Sequence, residues 1–177
     1  NDIDNLSNDP SSDHLNATRN SWIQAFISWQ HIDMFDMYAA SDQNFWQHTN
    51  AYPSDNEQID NYIADGLTTL PSLTDYNRGV RGLPAIGYLL YGNDSLALLD
   101  NFNNENYSQY LILLINEIKD NTDIVLNSWN SNRSNFTSST DNTDASSVNV
   151  LTNKFLFYFE KRLREAKVAT PLDARAN

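Results

Sequence analysis

The chain has 177 residues, 40% of them hydrophobic, which is enough for one domain with its own core. A formal net charge of −12 argues against nucleic-acid binding, because affinity for a phosphate backbone requires clustered Lys and Arg. The absence of cysteine excludes a disulfide framework, a thiolate metal site and a cysteine nucleophile. The longest apolar run, Tyr110–Ile115, is too short to cross a membrane.

Helical spacing of apolar residues dominates the chain, and strand-like alternation is nearly absent. The first long helix is expected to start at Ser12 or Asp13 as the capping residue and to fade near Met37–Ala40. Its apolar stripe consists of Leu15, Trp22, Phe26, Trp29 and Ile32.

A second helix is predicted after Pro53, where Ser54 and Glu57 form a Ser-x-x-Glu capping box. Pro71 is expected to end it. The apolar positions of this helix are Ile59, Tyr62, Ile63, Leu67 and Leu70.

A short helix is predicted over Pro84–Tyr91. Pro84 suits a first helical position, and Gly92 suits the left-handed residue that closes a last turn. Gly87 is unexpected inside a helix, where glycine costs roughly 1 kcal/mol relative to alanine. It either lets a neighbouring helix or aromatic ring approach closely or reflects drift at a dispensable position. Another short helix is predicted over residues 95–101.

A third long stripe is formed by Tyr107, Leu111, Leu114, Ile118, Val125 and Trp129. A polar connector is predicted over residues 131–147, before a last helix that Pro171 ends. That helix carries Val148, Leu151, Phe155, Tyr158 and Leu163. The fold class predicted is therefore an all-α helical bundle. One shared core is expected, formed by Trp22, Phe26, Trp29, Leu114, Ile118, Phe155 and Tyr158.

No complete catalytic set is visible. His31 precedes Asp36 by five residues, whereas a helical metal pair requires a spacing of three or four; the other histidines are His14 and His48. The zincin, nucleophile-elbow and P-loop motifs are absent, as is a Glu-x-x-His pair of the di-iron type. Trp22 and Trp29 could line a ligand cleft or belong to the core. Exposed aromatic side chains at Trp46, Tyr52 and Trp129 would suit a glycan-binding or adhesion module.

The stretch RGLPAIGYLLYG, residues 81–92, resembles the signature segment of the imelysin family, bacterial envelope proteins that often occur as lipoproteins. One branch of that family reads Gly-Leu-Pro-Ala-(Leu/Ile)-(Glu/Asp)-Tyr-Leu-Leu. The matching residues are Gly82, Leu83, Pro84, Ala85, Ile86, Tyr88, Leu89 and Leu90. The aromatic stretch around Trp22 and Trp29 is similar to another family segment. A third, near the C-terminus, is matched by Tyr158, Glu160, Leu163, Arg164, Lys167 and Pro171.

The signature departs from the family where a metal would bind. The family's other form reads Gly-x-His-x-x-Glu, and its histidine and acid correspond here to Pro84 and Gly87, which offer no ligating side chain. Arg78 and Arg81, just before the helix, are expected to meet nearby carboxylates. The resemblance implies one half of a double four-helix-bundle fold. Residues 1–177 are then one helical domain, expected to be a fragment or partial coverage of a longer two-half protein.

The resemblance implies a lipoprotein of the periplasm or outer membrane that acts as a binding or accessory protein in iron acquisition. Its targeting signal would lie outside this chain. Its partners would be iron-acquisition or other envelope proteins, and it would meet the membrane only through a lipid anchor outside this chain. No catalytic or cofactor-binding residues are assigned, and no metal is expected at the signature segment. The family resemblance still allows iron as a cofactor. The alternatives are an insulin-cleaving type of metallopeptidase and the glycan-binding module.

Overall fold

The computed structural model describes residues 2–169 and 172, and within them every regular element is helical, as predicted. None of the described helices is both long and apolar enough to cross a membrane. The α-helices, in chain order, are α1 (Asp2–Asn8), α2 (Ser12–Ile32), α3 (Ala39–Asp42), α4 (Phe45–Thr49), α5 (Asn56–Ala64), α6 (Gly82–Tyr91), α7 (Ser95–Asn101), α8 (Glu105–Ser138) and α9 (Ser147–Phe157). A 3-10 turn, Arg78–Val80, precedes α6, and a π-helical segment, Tyr158–Ala169, follows α9.

The N-terminal region contains a helix that the sequence did not predict. Helix α1 buries Ile3 and Leu6 against α2. The cap of α2 is Ser11, whose hydroxyl accepts a hydrogen bond from the backbone N–H of His14, one residue before the predicted Ser12. Helix α2 also ends at Ile32, short of Met37–Ala40, because the chain turns there and buries Asp33.

Helix α5 differs from its prediction at both ends. Its cap is Asp55, which accepts a hydrogen bond from the N–H of Gln58, while the hydroxyl of Ser54 donates to Asn56 instead of capping the helix. The helix stops at Ala64, well before Pro71, because Gly66 takes a left-handed conformation (φ 64°) and redirects the chain. Leu67 and Leu70 therefore reach the core from an irregular segment.

Helix α6 begins two residues before Pro84, which is tolerated because the first N–H groups of a helix need no intrahelical acceptor. Gly92 was predicted to be left-handed, but it is right-handed (φ −66°). Its missing side chain matters because a Cβ there would lie 2.6 Å from the carbonyl oxygen of Tyr88. Helix α7 spans the predicted residues and is capped by Asp94.

The predicted polar connector is mostly helical. Helix α8 continues to Ser138, because Trp129 and Phe136 pack on Tyr38 and support the helix beyond the predicted boundary. Only residues 139–146 connect it to α9. The predicted end at Pro171 lies outside the described residues.

The core has two parts rather than the single one predicted. Leu114 belongs to a large cluster built from α1, α2 and α5–α8, whereas Trp29 belongs to a smaller cluster with Ala40, Phe45 and Leu83. Trp22 and Ile118 pack against both clusters, and Phe26 packs against the smaller one.

Phe155 and Tyr158 lie outside both core clusters, so the predicted shared core is wrong for them. Phe155 packs instead on Phe35, with ring centroids 5.4 Å apart. The C-terminal helix is held largely by charged and polar contacts to residues 33–46, so most of its apolar side chains remain exposed.

Candidate functional site around the signature helix

Helix α6 carries the signature residues, and the packing around it determines what they can do. Leu83, Ala85, Ile86, Leu89 and Leu90 are all buried, so this helix belongs to the core. Pro84 and Tyr88 are half-buried, and the Tyr88 hydroxyl donates to the carboxylate of Asp60 at 3.0 Å. The side chains of α6 are therefore mainly packing groups.

Gly82 holds the start of α6 close to the end of α4. Its φ is 78°, a backbone conformation that residues with a side chain rarely adopt. A Cβ at this position would lie 2.5 Å from the carbonyl oxygen of Thr49. Both the backbone angle and the close approach therefore require glycine.

Gly87 faces the indole of Trp22 on α2. A Cβ at position 87 would lie 2.9 Å from Cζ2 of that ring. The indole Nε1 donates a hydrogen bond to the carbonyl oxygen of Leu83 at 2.9 Å, one helical turn before Gly87. The space next to the position of the family's acid is thus occupied by an aromatic ring fixed by its own hydrogen bond.

Arg81, at the N-cap of α6, is the centre of a buried charge network. Only 1% of its surface is exposed, and its Nη1 donates to Oε1 of Glu117 on α8 at 2.5 Å. Its Nη2 donates to the carbonyl oxygen of Pro71 at 2.7 Å. Nδ1 of His48 lies 3.0 Å from the same Glu117 oxygen. Three chain segments therefore meet at one carboxylate.

Some polar atoms of this network have no protein partner. Oε2 of Glu117, Nε of Arg81 and Oγ1 of Thr49 are buried without a hydrogen bond to any described residue. Burial of these atoms without partners lowers the stability of the fold. The Arg81–Glu117 ion pair is the main interaction in the network that offsets this cost. Arg78, the other arginine expected to meet a carboxylate, is exposed and forms no ion pair with a described residue.

Two tyrosines of α8 anchor the ends of the signature helix. The hydroxyl of Tyr110 donates to the carbonyl oxygen of Val80 at 2.7 Å, and that of Tyr107 donates to Leu89 at 2.8 Å. Burial raises the pKa of Tyr107 to about 12 and raises the pKa of Tyr110 still further. Both hydroxyls therefore stay protonated, and remain donors, across the physiological pH range.

A cavity of about 270 Å³ lies beside α6, between α1, α2 and α8. Its apolar lining includes Trp22, Leu83, Ile86, Leu90, Ile115 and Ile118, and its polar lining is Asp2, Thr18 and Ser21. The hydroxyl of Ser21 donates to the Asp2 carboxylate at 2.5 Å. An apolar cavity of this size, with few polar groups, suits a small apolar group of a ligand or partner.

The residues around α6 do not fit a metal ion. A structural or catalytic site needs at least three ligating side chains, and no three of His, Asp or Glu among the described residues are grouped closely enough. Pro84 and Gly87 offer no donor atom, and the Trp22 ring lies against Gly87. His48 and Glu117 approach each other, but the bound oxygen of Glu117 is shared with Arg81.

The two candidate cleft aromatics differ in their surroundings. Trp22 is half-buried and lines the 270 Å³ cavity. Trp29 is buried and contacts Phe45 edge to face, with ring centroids 5.2 Å apart, so it is a core residue.

The C-terminal family segment docks through residues other than Arg164. Nε of Arg164 donates to Glu160 at 2.7 Å, but this pair lies on the exposed face of one helix. Arg162 instead reaches Asp36 at 2.8 Å and lies 4.5 Å from the ring centre of Trp46. Lys167 lies 3.6 Å from the buried carboxylate of Asp33. Pro171 is outside the described residues.

Sequence reasoning did not single out His48, Glu117 or Arg162. A signal for Glu117 was available, since it lies three residues after Leu114 and next to Ile118 on the apolar stripe of α8. His48 and Arg162 had no comparable signal, because their partners are distant in sequence.

Taken together, the geometry defines an all-α protein whose buried signature helix lacks the side chains for a metal. The family model for imelysin (peptidase M75) matches residues 1–177, the entire chain. The chain therefore belongs to the imelysin family. Neither the comparison with curated proteins nor that with solved structures gave a significant match.

Proposed function

We propose that this chain is a non-catalytic binding or accessory protein of the bacterial cell envelope, connected with iron acquisition, that uses no metal at its signature helix. The observation that carries this proposal is the contact between Trp22 and Gly87. It occupies the side of α6 from which the acid of the family motif would extend. Family membership supports the envelope location, and a lipid anchor outside this chain would account for membrane attachment.

Binding is favoured over peptide hydrolysis by the donor set. Hydrolysis of the metallopeptidase kind needs several protein ligands, an open coordination position and a general base. The carboxylate of Glu117, which contacts the N-cap residue of α6, is already paired with Arg81. The 270 Å³ cavity beside α6 offers instead a preformed apolar surface, which supports recognition of a ligand or a partner protein.

Metal binding tests this proposal directly. We expect the purified protein to take up neither Fe²⁺ nor Zn²⁺ stoichiometrically in calorimetric titration, and to leave insulin uncleaved with or without chelator. Stoichiometric metal together with chelator-sensitive cleavage would establish the metallopeptidase alternative instead.

A pair of variants examines whether the missing acid separates this site from its relatives. Gly87→Glu is introduced into a Trp22→Ala background, which makes room for the side chain, and Trp22→Ala alone is the control. One carboxylate supplies only one of the three ligands that a stable site needs, so loss of the family's ligands predicts a weak gain of metal affinity in the double variant and none in the control. Metal binding by the control would show that another group of residues holds the ion.

The link to iron is tested in the source bacterium. Deletion of the gene should slow growth under iron limitation but not in iron-replete medium, and the wild-type gene should restore growth. Fractionation should place the protein in the envelope, and cross-linking there should capture iron-acquisition or other envelope proteins. Equal growth of the deletion strain and the wild type under iron limitation would refute this part of the proposal.

A further inference from the structure

A second cavity, with no residue of the signature helix in its lining, lies between Tyr38 and the last turns of α8. Its volume is about 180 Å³. Besides Tyr38, it is lined by Ser128, Trp129, Asn132, Asn135, Phe136 and Ser139. These lining positions recur at three- and four-residue intervals, which places them along one face of α8 and its C-cap. The face is thus a continuous strip of aromatic rings, amides and hydroxyls.

The aromatic side of the cavity consists of three mutually perpendicular rings. Trp129 and Phe136 are 5.3 Å apart at 77°, and Tyr38 meets them at 5.7 Å and 83° and at 6.0 Å and 89°. In an edge-to-face contact only one of the two rings uses a face. Three such contacts occupy at most three of the six ring faces, so the cluster can still offer a face to a ligand.

Tyr38 is held in this cluster by an unusual backbone. Its φ of 52° and ψ of −130° are rare for a residue with a side chain, and it is followed directly by α3. Strained residues persist where the surroundings determine them, and they concentrate at functional sites. The side chain nevertheless remains 41% exposed, so packing alone does not explain the conformation.

The polar side of the cavity has unused hydrogen-bonding groups. The side-chain amide of Asn135 and the hydroxyl of Ser139 form no hydrogen bond with a described residue. Asn132 uses its Nδ2 on the carbonyl oxygen of Ser128, which leaves its Oδ1 as an acceptor. Ser139 is itself fixed, because its carbonyl oxygen accepts hydrogen bonds from both the N–H and the hydroxyl of Ser147. The backbone of Ser139 is therefore fixed before any ligand binds, and the Asn135 amide is free to meet one.

The lining carries no charge. The chain has 34 charged residues, 11 basic and 23 acidic, but none lines this cavity. A cation would be expected to find a carboxylate here and an anion a basic residue. The lining therefore selects a neutral ligand with several hydroxyl groups and an apolar face.

We propose that this cavity is a binding site for a single sugar ring at the end of a neutral saccharide. The C–H face of a pyranose would rest on one of the three aromatic rings, whose negative face attracts C–H groups. The sugar hydroxyls would exchange hydrogen bonds with Asn132, Asn135 and Ser139. A volume below the roughly 300–1,000 Å³ of drug-sized pockets fits one ring and not a longer segment. This site is separate from α6 and goes beyond the function proposed above.

The test uses the full chain and two-dimensional NMR with isotope-labelled protein. The probes are the methyl glycosides of glucose, galactose, mannose and N-acetylglucosamine. Choline and benzyl alcohol test a cation and a flat aromatic molecule, and glycerol tests a polyol without a ring. We expect saturable shifts at the backbone amides of Asn135 and Ser139 with at least one glycoside, and none with the three other compounds.

Two variants complete the experiment. Asn135→Ala removes only an exposed side chain that has no partner among the described residues, so the fold should be unaffected, and the dissociation constant should rise about three- to tenfold. Asn130→Ala, on the same helix but outside the cavity, is the matched control and should bind like the wild type. The proposal is overturned if no glycoside gives saturable shifts, if choline or benzyl alcohol binds better than every glycoside, or if the two variants behave alike. None of these outcomes bears on metal binding at α6.

Discussion

The indole of Trp22 on α2 lies directly against Gly87 on α6, so a side chain at position 87 would meet the ring. A Cβ on residue 87 would come within 2.9 Å of the ring. The same indole donates to the carbonyl oxygen of Leu83, 61 residues away in sequence. The contact explains why this helix contains glycine at a position where helix propensity favours alanine.

The first prediction concerns this contact. Gly87→Ala should lower the free energy of unfolding by about 1–2 kcal/mol, because overpacking against the Trp22 ring outweighs the better helix propensity of alanine. Urea unfolding followed by circular dichroism measures the change.

A double-mutant cycle is the control for the Trp22–Gly87 contact. In a Trp22→Phe background, which lacks the outer ring of the indole, Gly87→Ala should instead be neutral or stabilising by up to about 1 kcal/mol. If alanine at position 87 stabilises the wild type as much as it stabilises the Trp22→Phe variant, the ring contact does not determine this position.

The second prediction concerns the buried pair of Arg81 and Glu117. Glu117→Ala should destabilise the protein by about 3–5 kcal/mol, because the guanidinium of Arg81, 1% exposed, loses its carboxylate. Replacing both residues, as Arg81→Met with Glu117→Leu, should recover most of that loss. Thermal and urea unfolding give the free energies.

Asp123→Ala provides the matched comparison, since it breaks an exposed ion pair with Lys119 on the same helix. It should leave the free energy of unfolding unchanged within error. If Glu117→Ala and Asp123→Ala change the free energy of unfolding equally, the buried Arg81–Glu117 pair contributes no more to stability than an exposed ion pair does.

The third prediction is a pH dependence caused by Asp33. Burial raises the pKa of its carboxyl above the usual range, although Lys167, Arg162 and the Tyr158 hydroxyl oppose that shift. The folded state therefore binds this proton more tightly than the unfolded state does. The resulting contribution to stability is fully present below the unfolded-state pKa and is lost as pH rises through the higher folded-state pKa.

Asp33→Asn, which cannot ionise, should therefore gain stability relative to the wild type as pH rises through the acidic range, and remain more stable at neutral pH. Lys167→Met should enlarge this difference, because the ammonium of Lys167 lowers the pKa of Asp33. Melting temperatures measured from acidic to neutral pH check both expectations. Parallel curves for wild type and Asp33→Asn would contradict them.

The fourth prediction separates two arginines of the C-terminal segment. Arg162→Ala should destabilise the protein by about 1.5–3 kcal/mol, because Arg162 donates to Asp36 and contacts the Trp46 ring in a mostly buried setting. Arg164→Ala removes only an exposed i,i+4 pair and should cost a few tenths of a kcal/mol at most.

Hydrogen exchange adds a local readout to this comparison. Amides of residues 158–169 should exchange faster in Arg162→Ala and at the wild-type rate in Arg164→Ala. The opposite ranking would show that Arg164, and not Arg162, holds the C-terminal segment against the rest of the fold.

Helical character was predictable because it depends on local patterns. The stripes of α2, α6 and α8 and the extent of α7 follow from 3.6-residue periodicity and caps, which need no partner segment. The absence of ligating side chains at Pro84 and Gly87 likewise follows from the amino-acid sequence alone. The sequence alone also shows that a glycine inside this helix is unusual. It leaves two explanations, close approach of another group or drift at a dispensable position.

The sequence could not show which group approaches Gly87 or which carboxylate meets Arg81. These contacts join segments that are far apart in the chain. The predicted end of α8 was wrong for the same reason, because Trp129 and Phe136 pack on Tyr38 and extend the helix past its polar sequence. Helix α5 ends early for a local reason instead, because Gly66 takes a left-handed conformation. Local propensity differs between ordinary residues by less than about 1 kcal/mol, whereas one buried aromatic contact or ion pair contributes as much or more. Long-range packing therefore prevailed where it competed with the local signal, and it brought Tyr38 onto the aromatic and amide groups that helical spacing aligns at the end of α8.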